Sequence, residues 1–493
     1  MKTFLPDGME KREADRDGTH EASSAEAFWG RMTLTAPGGA APERQTAPPG
    51  IDAALRLLDA AWGGAREGAP AAPSAGALHP YECLVAVGEE ESAAVYAADP
   101  LRRSCSLLSR GRPVAWALDK SGIAVPGGGA LLIVVARPWL SMRKYGDRGY
   151  VYTQLDTAHF AMHLLSLTPD RDDQAALRVR LDTAPLAELL DLDRRCRFIH
   201  SVISLGCRTR PSAESCPGAP ADGVPVDSAE WVFAERQAGN SAPSWGGPVT
   251  WLEAACWASV KRRAEPNHET ALPATPGPLT PAAGLVANPR SALASGARLA
   301  ELALRRESAK KFVPGALAAE DVWAALGALH TELRTDVPDE TSVQATLMVR
   351  HVEGLEPGSV HLTRGMPAAQ LPSTPATVSD EELVEVCMGQ AHLRHAAALV
   401  LLHTSRRDLL GDPIGGIDRA LFRAGVLGHL LYLGATDAHI GITAIGGFDS
   451  RRWRELAGLP VDHEVLYILV LGNSGSASQK LDRLNIAYAH NEG

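Results

Sequence analysis

The sequence predicts an α+β fold built from two similar domains in tandem, a fused pseudo-dimer with two antiparallel or mixed sheets flanked by helices. Its 493 residues exceed what one ordinary core accommodates and favour two domains with a connector. Residues 198–206 and 465–472 both have the pattern of an apolar strand that ends in Leu-Gly. The strand, loop and helix pattern of residues 124–165 returns, with diverged sequence, at 396–433. This recurrence predicts an internal repeat.

Composition divides the chain into four segments. Residues 1–24 are charged and polar, and we expect a disordered arm there. Residues 25–207 are the predicted first domain, and residues 294–493 are the second. Between them, residues 208–293 are rich in Pro, Gly and Ser, which is typical of a connector, although the stretch 251–263 has a helical pattern.

Hydrophobic periodicity places the elements of each half. In the first half it predicts a helix at 51–62, strands at 83–87 and 131–135, and a helix after residue 150 that leads to the closing strand. The apolar face of that last helix is marked by Leu155, His159, Met162 and Leu165. In the second half the predicted order is helix 291–311, helix 319–329, strand 345–351, helix 417–433 and the closing strand.

Charge and composition exclude several classes of protein. A net charge of −10 argues against a nucleic-acid binder, because phosphate contacts need a basic face. The apolar runs are shorter than the ~20 residues that span a bilayer, and the polar start of the chain does not have the pattern of a signal peptide. The 7 cysteines are scattered without CxxC spacing, which favours reduced thiols. We therefore expect a cytoplasmic protein without nucleic-acid or membrane partners.

A metal site is not expected. His159 and His163 are four residues apart and share a helical face, as zinc-binding pairs do. The glutamate of an HExxH motif is missing, and no third ligand is evident nearby in the sequence. We therefore predict that the two histidines pack in the interior.

The central motif of the first half is Lys144-Tyr145, followed by Gly146 and Gly149, between a predicted strand and a predicted helix. Rigid scaffolds often display catalytic residues in such loops, and the two glycines indicate tightly bent backbone or a close approach. On spacing alone, a polar loop that caps the core explains the stretch as well. Nearby candidates for orienting groups, each also suited to a structural role, are His79, Glu82 and Arg148.

Three further motifs stand in order along the chain. They are Pro73-Ser74-Ala75-Gly76 before a strand, Arg305-Arg306-x-Ser308 in a predicted helix, and Gly446-Gly447-Phe448-Asp449 after the last long helix. Guanidinium groups at a helix suit a phosphate dianion, and glycines let the backbone approach a flat ring closely. A solvent-facing basic helix end and simple tight turns are the alternative interpretations.

Together these motifs resemble the FMN-dependent nitroreductase superfamily and, more narrowly, its azoline dehydrogenase branch, which oxidises thiazolines and oxazolines in ribosomally made peptides. The resemblance covers most of both halves. It implies a tandem nitroreductase-like fold with FMN bound between the two halves, as it is bound between the protomers of the family's dimers. The implied cofactor-binding residues are Ser74, Ala75 and Gly76 of the first half, and Arg305, Arg306, Ser308, Ile445, Gly446 and Gly447 of the second.

The resemblance also implies that only one of two possible sites remains. The first half has no Arg-Arg-x-Ser and no Gly-Gly-Phe-Asp, and the second half has Asp339-Glu340-Thr341-Ser342 where Pro-Ser-Ala-Gly would stand. One FMN site per chain, built across the two halves, is our interpretation. The chain would then be a monomeric pseudo-dimer or form a dimer.

The implied activity is that of an FMN-dependent dehydrogenase, or oxidase, which converts azolines to azoles in a precursor peptide after a partner cyclodehydratase has acted. A hydride goes to flavin N5, and O2 is the final acceptor. Lys144 is the implied base, or positions one, and Tyr145 hydrogen-bonds the ring or relays the proton; a lysine acts as a base only where burial or a neighbouring cation lowers its pKa. The alternatives are a flavin reductase that uses NAD(P)H and a non-catalytic scaffold subunit of a peptide-modifying complex.

Overall fold

The computed structural model of the chain describes residues 46–63, 70–89, 92–168, 175–190, 192, 197–206, 231–235, 296–331, 333, 335–336, 343–363, 366–367, 378–411 and 415–475. All of them belong to the unit formed by residues 44–493. The predicted arm at 1–24, the helical pattern at 251–263 and most of the predicted connector lie outside the described residues. None of the described helices is both long enough and apolar enough to cross a membrane.

A seven-stranded sheet organises the first half. Its strands are β1 (Tyr81–Glu89), β2 (Ser92–Asp99), β3 (Ser104–Gly111), β4 (Ala130–Ala136), β5 (Ala176–Arg178), β6 (Phe198–Leu205) and β7 (Val232–Glu235). They lie in the order β5-β6-β4-β1-β2-β3-β7, all antiparallel except β7, which joins β3 in parallel. The described helices of this half are α1 (Asp52–Gly63), α2 (Arg112–Lys120), α3 (Trp139–Tyr145), α4 (Arg148–Ser166) and α5 (Ala184–Leu189).

The second half contains a six-stranded antiparallel sheet in the same style. The described strands of this half are β8 (Leu317–Ala318), β9 (Gln344–Val349), β10 (Val352–Glu353), β11 (Gly358–Thr363), β12 (Met366–Pro367), β13 (Ala398–Ser405), β14 (Gly441–Ile445) and β15 (His463–Gly472). Six of them form the sheet in the order β12-β11-β9-β13-β15-β14, and β8 pairs with β10 in parallel. The described helices are α6 (Gly296–Arg305), α7 (Ala319–Gly327), α8 (Asp380–Val386), α9 (Arg406–Leu410), α10 (Gly415–Asp437) and α11 (Ser450–Leu456).

The two sheets repeat one another strand for strand. The order β5-β6-β4-β1-β2-β3 in the first half matches β14-β15-β13-β9-β11-β12 in the second. The registers also agree, since Ala130 lies opposite Leu205 and Ala398 lies opposite Leu471. Each pair of central strands carries a β-bulge at the equivalent place, after Val134 and after Leu402. The predicted tandem fold is therefore confirmed.

The central strands are buried on both faces. Alternate residues of β4 pack into two different clusters, Leu132 and Val134 in one and Leu131, Ile133 and Val135 in the other. Because both faces of the strand are covered, no alternation with polar residues is needed, and the sequence is a continuous apolar run.

Helices α4 and α10 pack directly against each other and join the two halves. Gly425 on α10 permits this approach, because a Cβ there would come within 2.9 Å of the carbonyl oxygen of Leu155. Almost all of α4 is buried. The predicted single apolar face is therefore wrong, since the helix is covered on every side by the protein.

The helix predicted at 291–311 ends early. Its described part, α6, stops at Arg305. The backbone amides beyond it bond to other elements, as Ala309 N donates to Ile442 O at 2.7 Å and Phe312 N donates to His392 O at 3.2 Å. These tertiary hydrogen bonds replace the i→i−4 bonds of a continued helix, and they bring the segment after Arg305 against β14.

Candidate functional site

The Pro-Ser-Ala-Gly motif forms a strained turn just before β1. Residues Ala75–Ala77 make one turn of 3-10 helix. Gly76, Ala77 and His79 have φ angles of 61°, 54° and 44°, in the left-handed region that residues other than glycine rarely adopt. Non-glycine residues hold such angles only where their surroundings enforce them.

Lys144 and Tyr145 form the last turn of α3, and not the loop that the sequence predicted. Gly146, with a φ of 57°, ends that helix. Gly149 then lets α4 start beside it, because a Cβ there would collide with the backbone of Met142. The two glycines thus fold one helix sharply onto the next and fix where the Lys-Tyr pair lies.

The Lys-Tyr pair lies against the Pro-Ser-Ala-Gly turn. A Cβ added to Gly76 would collide with the Tyr145 hydroxyl and come within 2.8 Å of Lys144 Nζ. Lys144 Nζ is 5.3 Å from the centroid of the Tyr145 ring. Burial, with smaller effects of Asp156 and Tyr152, raises the pKa of Tyr145 to about 12. Tyr145 therefore keeps its proton at neutral pH and can donate a hydrogen bond.

Asp156 is an acidic residue in the middle of α4 that the sequence analysis did not single out. Its Oδ2 accepts hydrogen bonds from Ser74 Oγ at 2.6 Å and from the backbone amide of Ala75 at 2.9 Å. Burial raises the pKa of the carboxyl to about 7, and the bonds from Ser74 and Ala75 limit the rise. Asp156 ties α4 to the turn.

Arg306 and Ser308 enter this region from the second half. Arg306 Nε donates to the carbonyl oxygen of Ala71, just before the turn, at 2.9 Å. Its Nη1 donates to Ser308 Oγ at 3.2 Å, and Ser308 Oγ is 3.2 Å from the Tyr432 hydroxyl. The guanidinium also lies 5.1 Å from the centroid of the Tyr432 ring. This arrangement sets a buried cation beside a hydroxyl.

The side chain of Arg305, the residue next to Arg306, does not reach the turn. Its side chain is 46% exposed and pairs with Glu301 one helical turn away, at 2.8 Å. The structure therefore brings Arg306 and Ser308, but not Arg305, to the first half's turn.

The loop formed by Gly446 and Gly447 in the second half contacts residues of α4 in the first half. Gly446 meets the ring of Tyr152, a residue of α4, so closely that a Cβ would come within 2.9 Å of Cδ1. Arg148 donates to the Gly446 carbonyl oxygen at 3.3 Å from Nε and 3.1 Å from Nη2. Gln390 Nε2 donates to the carbonyl oxygens of Gly447 and Cys387, both at 2.8 Å. Each side of the loop is thus held by a side-chain donor.

Ile445 has a different environment from the two glycines. It is 4% exposed and packs in the hydrophobic cluster of the second sheet, whose members include Phe448 and Ile468. Only its backbone is placed to line the loop.

We call the residues that the structure gathers here the cross-half site. Its members are Ser74, Ala75, Gly76, Lys144, Tyr145, Tyr152, Asp156, Arg306, Ser308, Gly446 and Gly447. Sequence reasoning missed Asp156 and Tyr152, as well as Gln390 at the edge. One signal was available for Asp156, because an acidic residue inside an apolar helix is rare unless it is paired.

Glu82 and His79, which the sequence offers as orienting groups, have partners that suit a structural role. Arg197 Nε donates to Glu82 Oε1 at 2.8 Å in an ion pair whose glutamate is buried. His79 Nδ1 is 3.1 Å from the Tyr81 hydroxyl. Lys480 and Arg483 near the end of the sequence, for which a phosphate contact and a polar tail are both open interpretations, lie outside the described residues.

His159 and His163 lie in the interior, where α4 meets α10. His159 Nδ1 is 3.5 Å from His429 Nδ1, and His159 Nε2 is 3.0 Å from the Tyr467 hydroxyl. Burial lowers the pKa of both His159 and His163 to about 3, with a smaller effect of Arg306. Within the described parts of the chain, no group of three or more His, Cys, Asp or Glu residues is arranged to hold a metal ion.

The equivalent position in the other half is filled by a carboxylate. The strand registers place Val179 and Arg180 where the second half has Gly446 and Gly447, because Arg178 pairs with Val202 as Ile445 pairs with Ile468. Val179 N donates to Asp336 Oδ1 at 2.8 Å, and Arg180 N donates to Asp336 Oδ2 at 3.1 Å. The backbone donors that correspond to the Gly-Gly loop are therefore already occupied.

Comparison with known proteins agrees with this architecture. Residues 303–473 match the model of the Nitroreductase family. No curated protein matches the chain. Among solved structures, a protein of Anabaena variabilis assigned as a nitroreductase superposes with a TM-score of 0.58 and 19% identity, over 94% of this chain and 98% of that one.

Two further solved structures are similar over part of the chain. The Escherichia coli microcin synthetase McbBCD complex with truncated pro-MccB17 gives a TM-score of 0.29 at 14% identity, over 35% of this chain and 70% of that one. The NADPH:FMN oxidoreductase of Vibrio harveyi in complex with NAD+ gives 0.23 at 18% identity, over 36% of this chain and 68% of that one.

The family match points to FMN as the cofactor. The chain as a whole has a nitroreductase-like fold, and its residues 303–473 match the Nitroreductase family.

Proposed function

We propose that the chain is an FMN-dependent azoline dehydrogenase, which oxidises thiazoline or oxazoline rings in a ribosomally made peptide to azoles. A flavin-type oxidoreductase is the activity that the family indicates. The observation that carries the narrower proposal is the contact of Lys144 and Tyr145 with Gly76, inside the site where the two halves meet. A nicotinamide-dependent reductase has no evident use for such a pair.

The residues of the cross-half site fit FMN. Arg306 and Ser308 present a guanidinium and a hydroxyl side by side, which are the donors that a phosphate dianion needs. Gly76 and Gly446 leave their backbone bare of side chain, and the Tyr145 hydroxyl and the Tyr152 ring approach it so closely that a Cβ on either glycine would collide with them. Bare backbone of this kind suits a flat ring that must approach closely.

Each half would hold a different part of the cofactor. Arg306 and Ser308 would bind the phosphate, while Ser74, Ala75 and Gly76 would line the ring from one side and Gly446 and Gly447 from the other. Arg305 is assigned no contact, because it pairs with Glu301 at the surface. When bound, FMN supplies an acceptor for the hydride that leaves Cβ of the azoline, and O2 is the final oxidant in this proposal.

The remaining task for the protein is to remove the proton at Cα of the ring. The lone pair of an unprotonated Lys144 Nζ would take it, so that the azoline loses one proton and one hydride and gains a C=C bond. Tyr145 is unsuited to that role at neutral pH, because its pKa is raised to about 12. Its hydroxyl instead orients the ring or the lysine by donating a hydrogen bond.

A single cofactor site per chain belongs to the proposal. In the other half, the Asp336 carboxylate already accepts from Val179 N and Arg180 N, and that half lacks a Gly-Gly pair at this position. A negative charge there also disfavours a phosphate-bearing ligand. The precursor peptide and a cyclodehydratase that makes the azolines are the proposed partners.

The first test is the visible spectrum of the purified protein, with mass spectrometry of the released ligand. Flavin bands and about one FMN per chain are expected. The protein is then incubated with an azoline-containing peptide, and each ring oxidised lowers the peptide mass by two hydrogens. Lys144→Ala should abolish this loss while it keeps the flavin. Arg143→Ala, which removes an exposed cation one residue away, should leave it intact and is the matched control.

Other outcomes would point to the alternatives. Consumption of NAD(P)H without peptide, with no change in peptide mass, would indicate a flavin reductase. A colourless protein that does not take up FMN on reconstitution would indicate a scaffold subunit. Equal losses of activity in the Lys144 and Arg143 variants would remove the catalytic assignment of Lys144.

A further inference from the structure

Asp156 is the buried residue of the cross-half site for which the proposed reaction has no role yet. It is 4% exposed, in the middle of α4. A single oxygen, Oδ2, accepts both from Ser74 Oγ and from Ala75 N, at 2.6 and 2.9 Å. These partners lie 82 and 81 residues earlier in the chain. Two such bonds fix both the position and the direction of the turn relative to α4.

The bonds extend across the whole strained turn. Ser74 Oγ donates to Asp156 and at the same time accepts from His79 N at 2.9 Å. The segment between Ser74 and His79 contains Gly76 and Ala77, which both have left-handed φ angles, as His79 itself does. Strained backbone relaxes unless contacts on either side hold it. The hydrogen bonds to Asp156 and Ser74 are those contacts.

The position of this strained turn determines which part of the backbone faces Lys144 and Tyr145. Gly76, at its apex, lies directly in front of the Tyr145 hydroxyl and Lys144 Nζ. A shift of the turn would change the space between this pair and a ring bound against Gly76. Reactions that depend on exact placement lose about 100-fold in rate when a group moves by about 1 Å.

We infer that Asp156 is a positioning residue of this active site, which clamps the turn formed by Ser74–His79 so that Gly76 and the Lys144-Tyr145 pair keep a fixed separation. The catalytic consequence rests on the proposed function, but the clamp itself does not. Asp156 acts through Ser74 and Ala75, and contact with the substrate is not required.

The charge state of the carboxyl modulates the clamp. Burial raises the pKa of Asp156 to about 7, and an ionised acceptor makes the stronger hydrogen bonds. Three tyrosines interact electrostatically with Asp156: Tyr81 of β1, Tyr145 of α3 and Tyr467 of β15. Burial is the main reason that their pKa values are raised, and the charge of Asp156 raises them further. Arg306 is the cation that acts on Tyr81 and Tyr467. The clamp should thus tighten as the pH rises through 7.

Two substitutions of Asp156 separate its roles in the full-length, FMN-loaded protein. Asp156→Ala removes the acceptor, and kcat for the azoline peptide should fall about 100-fold with a smaller change in KM. Asp156→Asn keeps an oxygen that can accept both bonds, so it should restore most of kcat. The change of kcat with pH near pH 7 should be absent in Asp156→Asn, because the amide does not titrate.

A substrate-independent readout tests the clamp itself. Hydrogen exchange of the Ala75 and His79 amides in the FMN-free protein should be at least about 10-fold faster in Asp156→Ala than in wild type, and near wild type in Asp156→Asn. Asp336→Ala is the matched control. It also removes a buried carboxylate with two hydrogen bonds from another segment, but lies outside the cross-half site, and should leave both readouts at their wild-type values.

The outcomes are distinguishable. Wild-type protein that fails to oxidise any azoline peptide would overturn the proposed function, while faster exchange in Asp156→Ala would still support the clamp. Unchanged exchange of the two amides would overturn the clamp. A loss of kcat in Asp156→Ala that Asp336→Ala matches, or that Asp156→Asn does not rescue, would overturn the positioning role.

Discussion

Gly446 of the second half lies so close to the ring of Tyr152 in the first half that a Cβ on the glycine would collide with Cε1. The same ring stands edge-on to Tyr145, with the centroids 4.9 Å apart and an interplanar angle of 80°. Tyr152 is 8% exposed and therefore has little freedom to move. One side chain thus contacts both the Gly-Gly loop and the Lys-Tyr pair, and it couples the two halves at the site.

Gly446→Ala should therefore destabilise the protein even without cofactor. Tyr152 must move to admit the methyl group, and overpacking of this kind costs about 1–3 kcal/mol. Gly447→Ala is the control, since a Cβ there would meet only Gln390 Nε2 at 3.6 Å and the Tyr152 hydroxyl at 4.0 Å. Urea unfolding of the FMN-free variants measures the difference. Equal stability of the two variants would contradict the contact.

Arg306→Ala and Arg305→Ala should differ sharply in FMN affinity. Arg306 is 8% exposed and lies beside Ser308, and the loss of a charged hydrogen bond costs about 1.5–3 kcal/mol, which corresponds to a ten- to hundredfold weaker Kd. Arg305 is paired with Glu301 at the surface, so its removal should change the Kd by less than about threefold. Flavin fluorescence titration of the apoprotein checks both. A larger loss for Arg305→Ala would reverse the assignment.

Tyr145→Phe should lower the rate of azoline oxidation without reshaping its pH dependence. The hydroxyl is lost as a hydrogen-bond donor, and we expect about a tenfold lower kcat. The pKa of Tyr145 is raised to about 12, so the phenol stays protonated between pH 6 and 9 in both the folded and the unfolded protein. Initial rates of peptide mass loss at several pH values test this. If the rate of the wild type changes at high pH and the rate of Tyr145→Phe does not, Tyr145 does titrate in this range.

The buried histidines should make the protein sensitive to acid. The folded pKa of His159 and of His163 is lowered to about 3 from 6.5, so between those values the unfolded chain binds more protons. The stability that these groups contribute is present above pH 6.5 and is lost as the pH falls towards 3, by up to about 1.4 kcal/mol per pH unit for each histidine. Asp156, with its raised pKa, acts in the opposite direction over part of this range.

His163→Leu isolates this effect. Both ring nitrogens of His163 are buried with no hydrogen-bond partner among the described residues, so a leucine should keep or raise the stability at pH 7. Urea unfolding at pH 7, 6 and 5 should show a shallower loss of stability than in wild type. An unchanged pH dependence would mean that His163 is not held neutral.

Some features could be predicted because they are local. The continuous apolar run at 131–135 marks a strand covered on both faces, as β4 is. The paired Leu-Gly endings indicated the repeat that the strand orders confirm. The sequence predicts a loop at Lys144 and Tyr145, because a seven-residue helix such as α3 carries too little periodicity to be recognised. Only the fold shows that the pair lies beside Gly76, because it places the turn next to α3.

The sequence by itself determined that the chain has two similar α+β halves, that a pattern of strand, loop and helix recurs in them, and which motifs supply cationic and glycine-rich segments. These properties depend on composition and periodicity over short windows. Only the tertiary structure decided that Arg306 enters the site while Arg305 faces solvent, and that Asp156 holds a turn 82 residues away. The reason is physical: α6 ends at Arg305, so the side chain of Arg306 is directed by its hydrogen bond to Ala71, and a hydrogen bond between distant segments leaves no periodic trace in either.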